Sequence, residues 1–132
     1  MSSRSKLVYE GPTDLPSVRA TSTDLMQILV NLVRNAQQAL EEHHVENGAV
    51  IVRADVNPSL VTITVKDNGP GMPPEVLAKL GTPFYTTREA GTGLGIAQVK
   101  RLVGRLGGEL RIDSSPGQGT TVRFTLPTLP VT

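Results

Sequence analysis

The 132-residue chain has no cysteine and no tryptophan, and only two tyrosines and two phenylalanines. Without cysteine there is no disulfide framework and no thiolate zinc site. No apolar run approaches the roughly 20 residues that cross a bilayer. The opening residues Met1 to Lys6 are too polar for a secretion signal, so a cytoplasmic location is expected. There is almost no excess of charge either: 13 basic residues stand against 12 acidic, a formal +1. That balance gives no reason to expect binding to nucleic acid or to a membrane surface. Hydrophobic residues are 38% of the chain and charged residues 19%. This is enough apolar material for one compact domain with one core, expected over about residues 6–127 with loose ends at 1–5 and 128–132.

Glycine is present in quantity and is unevenly placed. Of 13 glycines, most fall between Gly69 and Gly119 in three clusters. Clustered glycine in an otherwise ordinary composition points to special turns or to backbone that approaches a ligand closely.

Between the clusters the chain reads as alternating strands and helices. Lys6–Glu10 is a short strand, and Val18–Ala20 could add another. Thr21 with Asp24 three residues later forms a helix-start signature. The apolar positions Leu25, Ile28, Leu29, Leu32, Val33, Ala36 and Leu40 then predict a helix from Thr23 to about His43. Ala49–Asp55 and Leu60–Lys66 are β-branched runs joined at Asn57-Pro58, a hairpin. Pro73 or Pro74 begins a short helix through Leu80. Gly81 to Gly93 is irregular. Gly95–Leu106 repeats Ile96, Val99, Leu102, Val103 and Leu106 at helical spacing. Glu109–Asp113 and Thr120–Leu126 close the chain as paired strands. The order predicts an α/β sandwich in which helices cover one face of a mixed five-stranded sheet.

Four features could carry chemistry. Asn31 and Asn35 lie one turn apart on one helix face, and an amide oxygen is a suitable hard ligand for Mg²⁺. The same pattern also fits a plain amphipathic helix, because Asp24, Gln27, Asn31, Arg34, Gln38 and Glu41 share one polar arc. Asp67-Asn68-Gly69-Pro70-Gly71-Met72 follows a β-run, so that Asp67 can accept from an exocyclic amine such as that of adenine; it could equally be an ordinary turn. Gly91-Thr92-Gly93-Leu94-Gly95 precedes a helix, where free N–H groups and the helix dipole attract phosphate. It is neither the dinucleotide fingerprint nor a Walker A loop. Gly117-Gln118-Gly119-Thr120 is a glycine-rich hairpin loop whose interest comes from the other three.

In this order the features resemble the histidine-kinase branch of the gyrase, chaperone, kinase and mismatch-repair ATPase superfamily. Asn31–Ala36 resembles its N box, Asp67–Met72 its G1 box, and Thr82-Pro-Phe-Tyr-Thr-Thr87 its F box. Gly91–Gly95 resembles the G2 box and Gly117–Thr120 the last glycine box. The resemblance runs from about Asp14 to Pro127. The short stretch Arg88–Thr92 and the sequence Asn35-Ala-Gln-Gln-Ala-Leu40 are similar to nitrogen-regulator-type kinases.

The resemblance implies a Bergerat-type fold with three helices on the sheet, and ATP with Mg²⁺ between sheet and lid. It implies that Asp67 binds the adenine amine with Thr120 in support, and that Asn35 holds the metal with Asn31 beside it. Gly69, Gly71, Met72, Phe84, Thr92, Gly93, Leu94 and Gly95 would line the nucleotide. Arg88 would join Asn31 and Asn35 as a catalytic contact. Two positions depart from common patterns. Many members carry Lys or Arg where this chain has Gln38. Hydrolysing members carry glutamate where this chain has Asn31, and an amide cannot act as general base. The latter implies phosphoryl transfer rather than fast hydrolysis, to a histidine on a separate helical domain and from there to a response regulator.

His43 and His44 are the only histidines. Neither is followed by an acidic residue, so neither is expected to be the acceptor. The domain alone is expected to be monomeric and to turn over ATP very slowly. Serine-directed kinase activity of the anti-sigma type, a non-catalytic nucleotide-binding module and a clamp ATPase remain as other readings.

Overall fold

A computed structural model describes residues 5–18, 20–79 and 95–129. The elements run β1 (Lys6–Glu10), α1 (Ser22–Glu42), β2 (Ala49–Val56), β3 (Leu60–Asp67), α2 (Pro74–Lys79), α3 (Gly95–Arg105), β4 (Leu110–Ser114) and β5 (Thr120–Pro127).

The five strands form one sheet in the order β1-β2-β3-β5-β4. β1 pairs parallel with β2, which needs a crossover, and α1 supplies it. The remaining neighbours are antiparallel. The β2–β3 turn is set by Asn57, whose side-chain oxygen accepts from the N–H groups of Ser59 and Leu60 at 2.8 and 2.7 Å. The local reason is that a short polar side chain can mimic the backbone of a turn.

The start of α1 is fixed as its sequence predicts. Thr21 accepts from the Asp24 N–H at 3.0 Å, and the Asp24 carboxylate accepts in return from the Thr21 N–H. Ile28, Leu32, Ala36 and Leu40 form its fully buried stripe. They meet Val61, Ile63 and Val65 of β3, Val122, Phe124 and Leu126 of β5, and Val99, Leu102 and Val103 of α3 in one core. The strict alternation of β3 puts these three residues and Asp67 on the same, helix-covered side. The uncovered side carries Thr62, Thr64, Lys66 and Arg123, and the exposed Arg53–Asp55 ion pair at 3.3 Å.

Three details differ from the sequence expectation. Val18 makes an isolated bridge to Thr128 rather than a strand. β4 extends to Ser114, so that residue is strand and not loop. Thr128 and Leu129, expected to belong to a loose end, are tied down: the Thr128 N–H donates to the Ser59 carbonyl, its hydroxyl to that of Pro58 and the Leu129 N–H to that of Ser17. These carbonyls are offered by loops that only the folded chain brings alongside. Among the described residues no helix is long and apolar enough to cross a membrane.

Candidate functional site

Asp67 is the last residue of β3 and the one charged side chain buried among the described residues, 7% exposed. Its Oδ1 accepts from the Gly69 N–H at 2.8 Å and from the Thr120 N–H at 3.3 Å. Burial pushes the carboxyl above the ordinary aspartate value, and these two donors work against that shift by favouring the ionised form. The two backbone donors fix the orientation of the carboxyl group.

The register explains why Thr120 is the neighbour. Asp67 faces Thr120 across β3–β5, and Thr120 faces Ser114 across β5–β4. Three polar side chains thus stand in one row at one end of the sheet. The Ser114 hydroxyl accepts from the Met72 N–H at 2.9 Å, donates to the Gly119 carbonyl at 3.0 Å, and lies 2.9 Å from the Thr120 hydroxyl. The Gly117 N–H donates to the Pro70 carbonyl at 2.7 Å. Two loops far apart in sequence are therefore sewn together beside Asp67.

Glycine is required where these loops meet. Gly71 has φ +72°, and a Cβ there would lie 1.9 Å from the Ser115 carbonyl oxygen. Gly119 has φ +74°, and its Cβ would lie 2.2 Å from the Asp67 carbonyl oxygen. Both conditions exclude a side chain. These two glycines serve the approach of backbone to backbone.

Asn68 closes the other side. Its Oδ1 accepts from the Ala49 N–H at 2.8 Å and its Nδ2 donates to the Asn47 carbonyl at 3.0 Å. Ser114 and Asn68 are the residues that sequence reasoning missed. The strand register, had it been known, would have found Ser114.

Asn31 and Asn35 sit on α1, both half-buried, at the border of its buried stripe. Gln27, Arg34, Gln38 and Glu41 of the same polar arc are exposed. Asn31 Nδ2 donates to the Gln27 carbonyl at 2.9 Å, one turn back. A shallow groove of about 500 Å³ runs along this part of α1, lined by Ser22, Thr23, Met26, Gln27, Val30 and Asn31. It reaches Asn31 but not Asp67. Asp67, Gly69, Gly71, Met72 and Thr120 are brought together. Gly95 opens α3. Phe84, Arg88, Thr92, Gly93 and Leu94 lie outside the described residues.

Among the described residues no group of three or more His, Asp or Glu side chains could hold a metal. The oxygen donors on offer at the α1 border are neutral amides. This suits Mg²⁺, which keeps waters and takes its charge from substrate phosphates rather than from a protein cage. His43 caps α1, its N–H on the Ala39 carbonyl, and His44 follows at φ +50°; both are exposed at the helix end.

Residues 20–130 match the family described as histidine kinase-, DNA gyrase B-, and HSP90-like ATPase. The chain belongs to this family. Its relatives within it are sensor kinases. Sporulation kinase C of Bacillus subtilis (strain 168) is 36% identical over 115 residues, 87% of this chain and 26% of that protein. The sensory histidine kinase/phosphatase NtrB of Rhizobium meliloti (strain 1021) is 32% identical over 138 residues, 94% of this chain and 35% of that protein. Among solved structures, full-length ShkA in complex with AMPPNP superposes with a TM-score of 0.78 and 30% identity, over 96% of this chain and 26% of that one. The chain thus spans about a quarter to a third of the length of these relatives. The mixed five-stranded sheet with three helices matches the solved catalytic domain of histidine kinase ThkA, with a TM-score of 0.80 and 29% identity over 95% of this chain and 81% of that one.

Proposed function

We propose that this chain is the ATP-binding catalytic domain of a protein histidine kinase. It binds ATP with Mg²⁺ and donates the γ-phosphate to a histidine on a separate helical domain, from which a response regulator receives it. The observation that carries this reading is the buried, doubly hydrogen-bonded Asp67 beside Thr120. An acceptor-only carboxylate at the mouth of a strand selects a ligand that brings an amine.

In this reading Asp67 accepts from the adenine amine and Thr120 stands beside it. Gly69 and Met72 carry the backbone along the base. Asn35 presents its amide oxygen to the metal, with Asn31 alongside. Bound Mg²⁺ would neutralise charge on the triphosphate. Gly93, Gly95 and Arg88 are assigned to the phosphates and Phe84 to the base of the lid, on the strength of the family resemblance. An imidazole nitrogen of the acceptor attacks the γ-phosphorus, the bond to the β–γ bridging oxygen breaks, and ADP leaves. Catalysis of this kind is chiefly positioning and charge neutralisation. Asn31 supports transfer over hydrolysis, because no carboxylate there can activate water. The formal charge of +1 gives no electrostatic pull towards nucleic acid or an anionic membrane.

The test mixes this chain with the helical acceptor domain of its own kinase and γ-labelled ATP. The expected product is an acid-labile phosphohistidine on the acceptor. Acid-stable phosphoserine on a protein partner would move the assignment to a serine kinase, and no transfer to any partner would leave a binding module.

A further inference from the structure

A hydroxyl group has one proton to donate and two lone pairs. Ser114 Oγ has three neighbours within hydrogen-bond distance, and two of them are chemically fixed. The Met72 N–H can only donate to it, at 2.9 Å, and the Gly119 carbonyl can only accept from it, at 3.0 Å. The third contact, 2.9 Å to the Thr120 hydroxyl, allows either oxygen to donate. All three contacts are hydrogen bonds at once in one arrangement alone, with the Ser114 proton on Gly119 and Thr120 donating to Ser114. The Thr120 proton is consumed in turn. What remains to Thr120 Oγ1 on the ligand side is lone pairs.

We infer that Ser114 is a specificity-determining positioning residue: it holds the Thr120 hydroxyl with its proton turned away, so that Thr120 and Asp67 together present acceptors only. This rests on the assignment of Asp67 to an adenine amine. Two adjacent acceptors match a purine whose 6-substituent is a donor, and they oppose one whose 6-substituent is a carbonyl oxygen. Rejection of the 6-oxo base thus has two parts, the carboxylate itself and the orientation of a neighbouring hydroxyl. Ser114 is positioned for the second part by the strand register, which sets it directly across from Thr120. Its third bond ties the Met72 backbone of the Asp67 loop to the same oxygen. Loop position and hydroxyl orientation therefore depend on one side chain.

The experiment measures binding of ADP and of IDP, which differ at the 6-position, by calorimetric titration of the 132-residue chain and its variants. In Ser114→Ala the Thr120 proton loses its acceptor, and the hydroxyl can turn and donate to a 6-oxo group. The ADP-over-IDP preference is expected to narrow by about three- to tenfold, the worth of one hydrogen bond. Ser114→Thr, which retains the hydroxyl, is expected to keep the original preference. In a double-mutant cycle with Thr120→Val, which has no hydroxyl to orient, adding Ser114→Ala is expected to narrow the preference no further. Equal loss of affinity for both nucleotides in Ser114→Ala would mean that Ser114 only braces the loop, and would overturn the inference. So would narrowing that adds to that of Thr120→Val. If Ser114→Ala does not fold, Ser114→Cys gives the same readout with a much weaker acceptor. The underlying adenine assignment fails separately: in that case the wild type itself would bind ADP and IDP alike, or Asp67→Asn would leave ADP affinity unchanged.

Discussion

Asp67 is held by one donor from the loop that follows it and one from β5, whereas Asn31 donates to a carbonyl of its own helix. The Asp67 corner is built from contacts that join residues 42 and 53 positions apart, by hydrogen bonds that leave little freedom in the loops around it. Asn31, by contrast, bonds one turn back along its own helix. The first arrangement is cross-linked between distant parts of the chain, as the proposed base recognition by hydrogen bonds requires. The second places two neutral amides one turn apart on one helix. In the proposed function, base recognition falls to the first region and phosphate handling to the second, and each is expected to be disturbed without the other.

The largest effect is expected for Asp67→Asn. Replacing an acceptor-only group by an amide removes a charge-assisted bond to the adenine amine, and ADP affinity is expected to fall by roughly a hundredfold. Folding should not suffer. Burial raises the Asp67 carboxyl in the folded state, so the cost of holding it ionised is present at neutral pH and is relieved as pH falls through the raised value. Asparagine can still accept from Gly69 and Thr120 without that cost. Its melting temperature at pH 7 is therefore expected to equal or exceed that of the wild type, read by calorimetry. By the same sign, wild-type ADP affinity is expected to weaken on acidification at a pH above that at which an ordinary aspartate titrates. Titrations across the acid range check this.

Gly119→Ala comes next, and it should act on folding. Its Cβ would meet the Asp67 carbonyl oxygen at 2.2 Å with φ at +74°, and a non-glycine residue held in such a region costs about 1–3 kcal/mol before the clash is counted. Denaturant melts are expected to show at least that loss, with ADP binding lost alongside. Asn35→Ala should divide the two regions most cleanly. Binding of ATP with Mg²⁺ is expected to weaken by about tenfold, while magnesium-free ADP binds as in the wild type. Equal weakening of both ligands would show that the regions are not independent. The smallest effect is expected for Thr21→Ala, which removes the α1 cap and should cost about 1 kcal/mol in a denaturant melt with little change in nucleotide affinity.

The comparison also marks what could be read from sequence. α1 was legible to within a residue of its start, because its cap and its apolar spacing are local signals. Asp67 was legible because a strand followed by Asp-Asn-Gly is itself a local pattern. Ser114 was not, because its part depends on standing across from Thr120, and only the register of β4 on β5 decides that. Asn68 was missed for the same reason, since its partners Ala49 and Asn47 lie about twenty residues back. The glycines were noticed, but Gly71 and Gly119 serve contact between two loops that sequence alone does not bring together. The groove along α1 was not foreseen either. It arises from Met26 and Val30, 59% and 43% exposed, on a helix side that the pattern assigns to solvent.

The most direct measurement is a titration of the wild-type chain with magnesium-free ADP, followed residue by residue through its backbone amide resonances. The largest shifts are expected on the Gly69, Met72 and Thr120 amides around Asp67, saturating together. Shifts confined to the Met26–Asn31 stretch of α1, or none at saturating ADP, would contradict the assignment of Asp67 to the adenine amine.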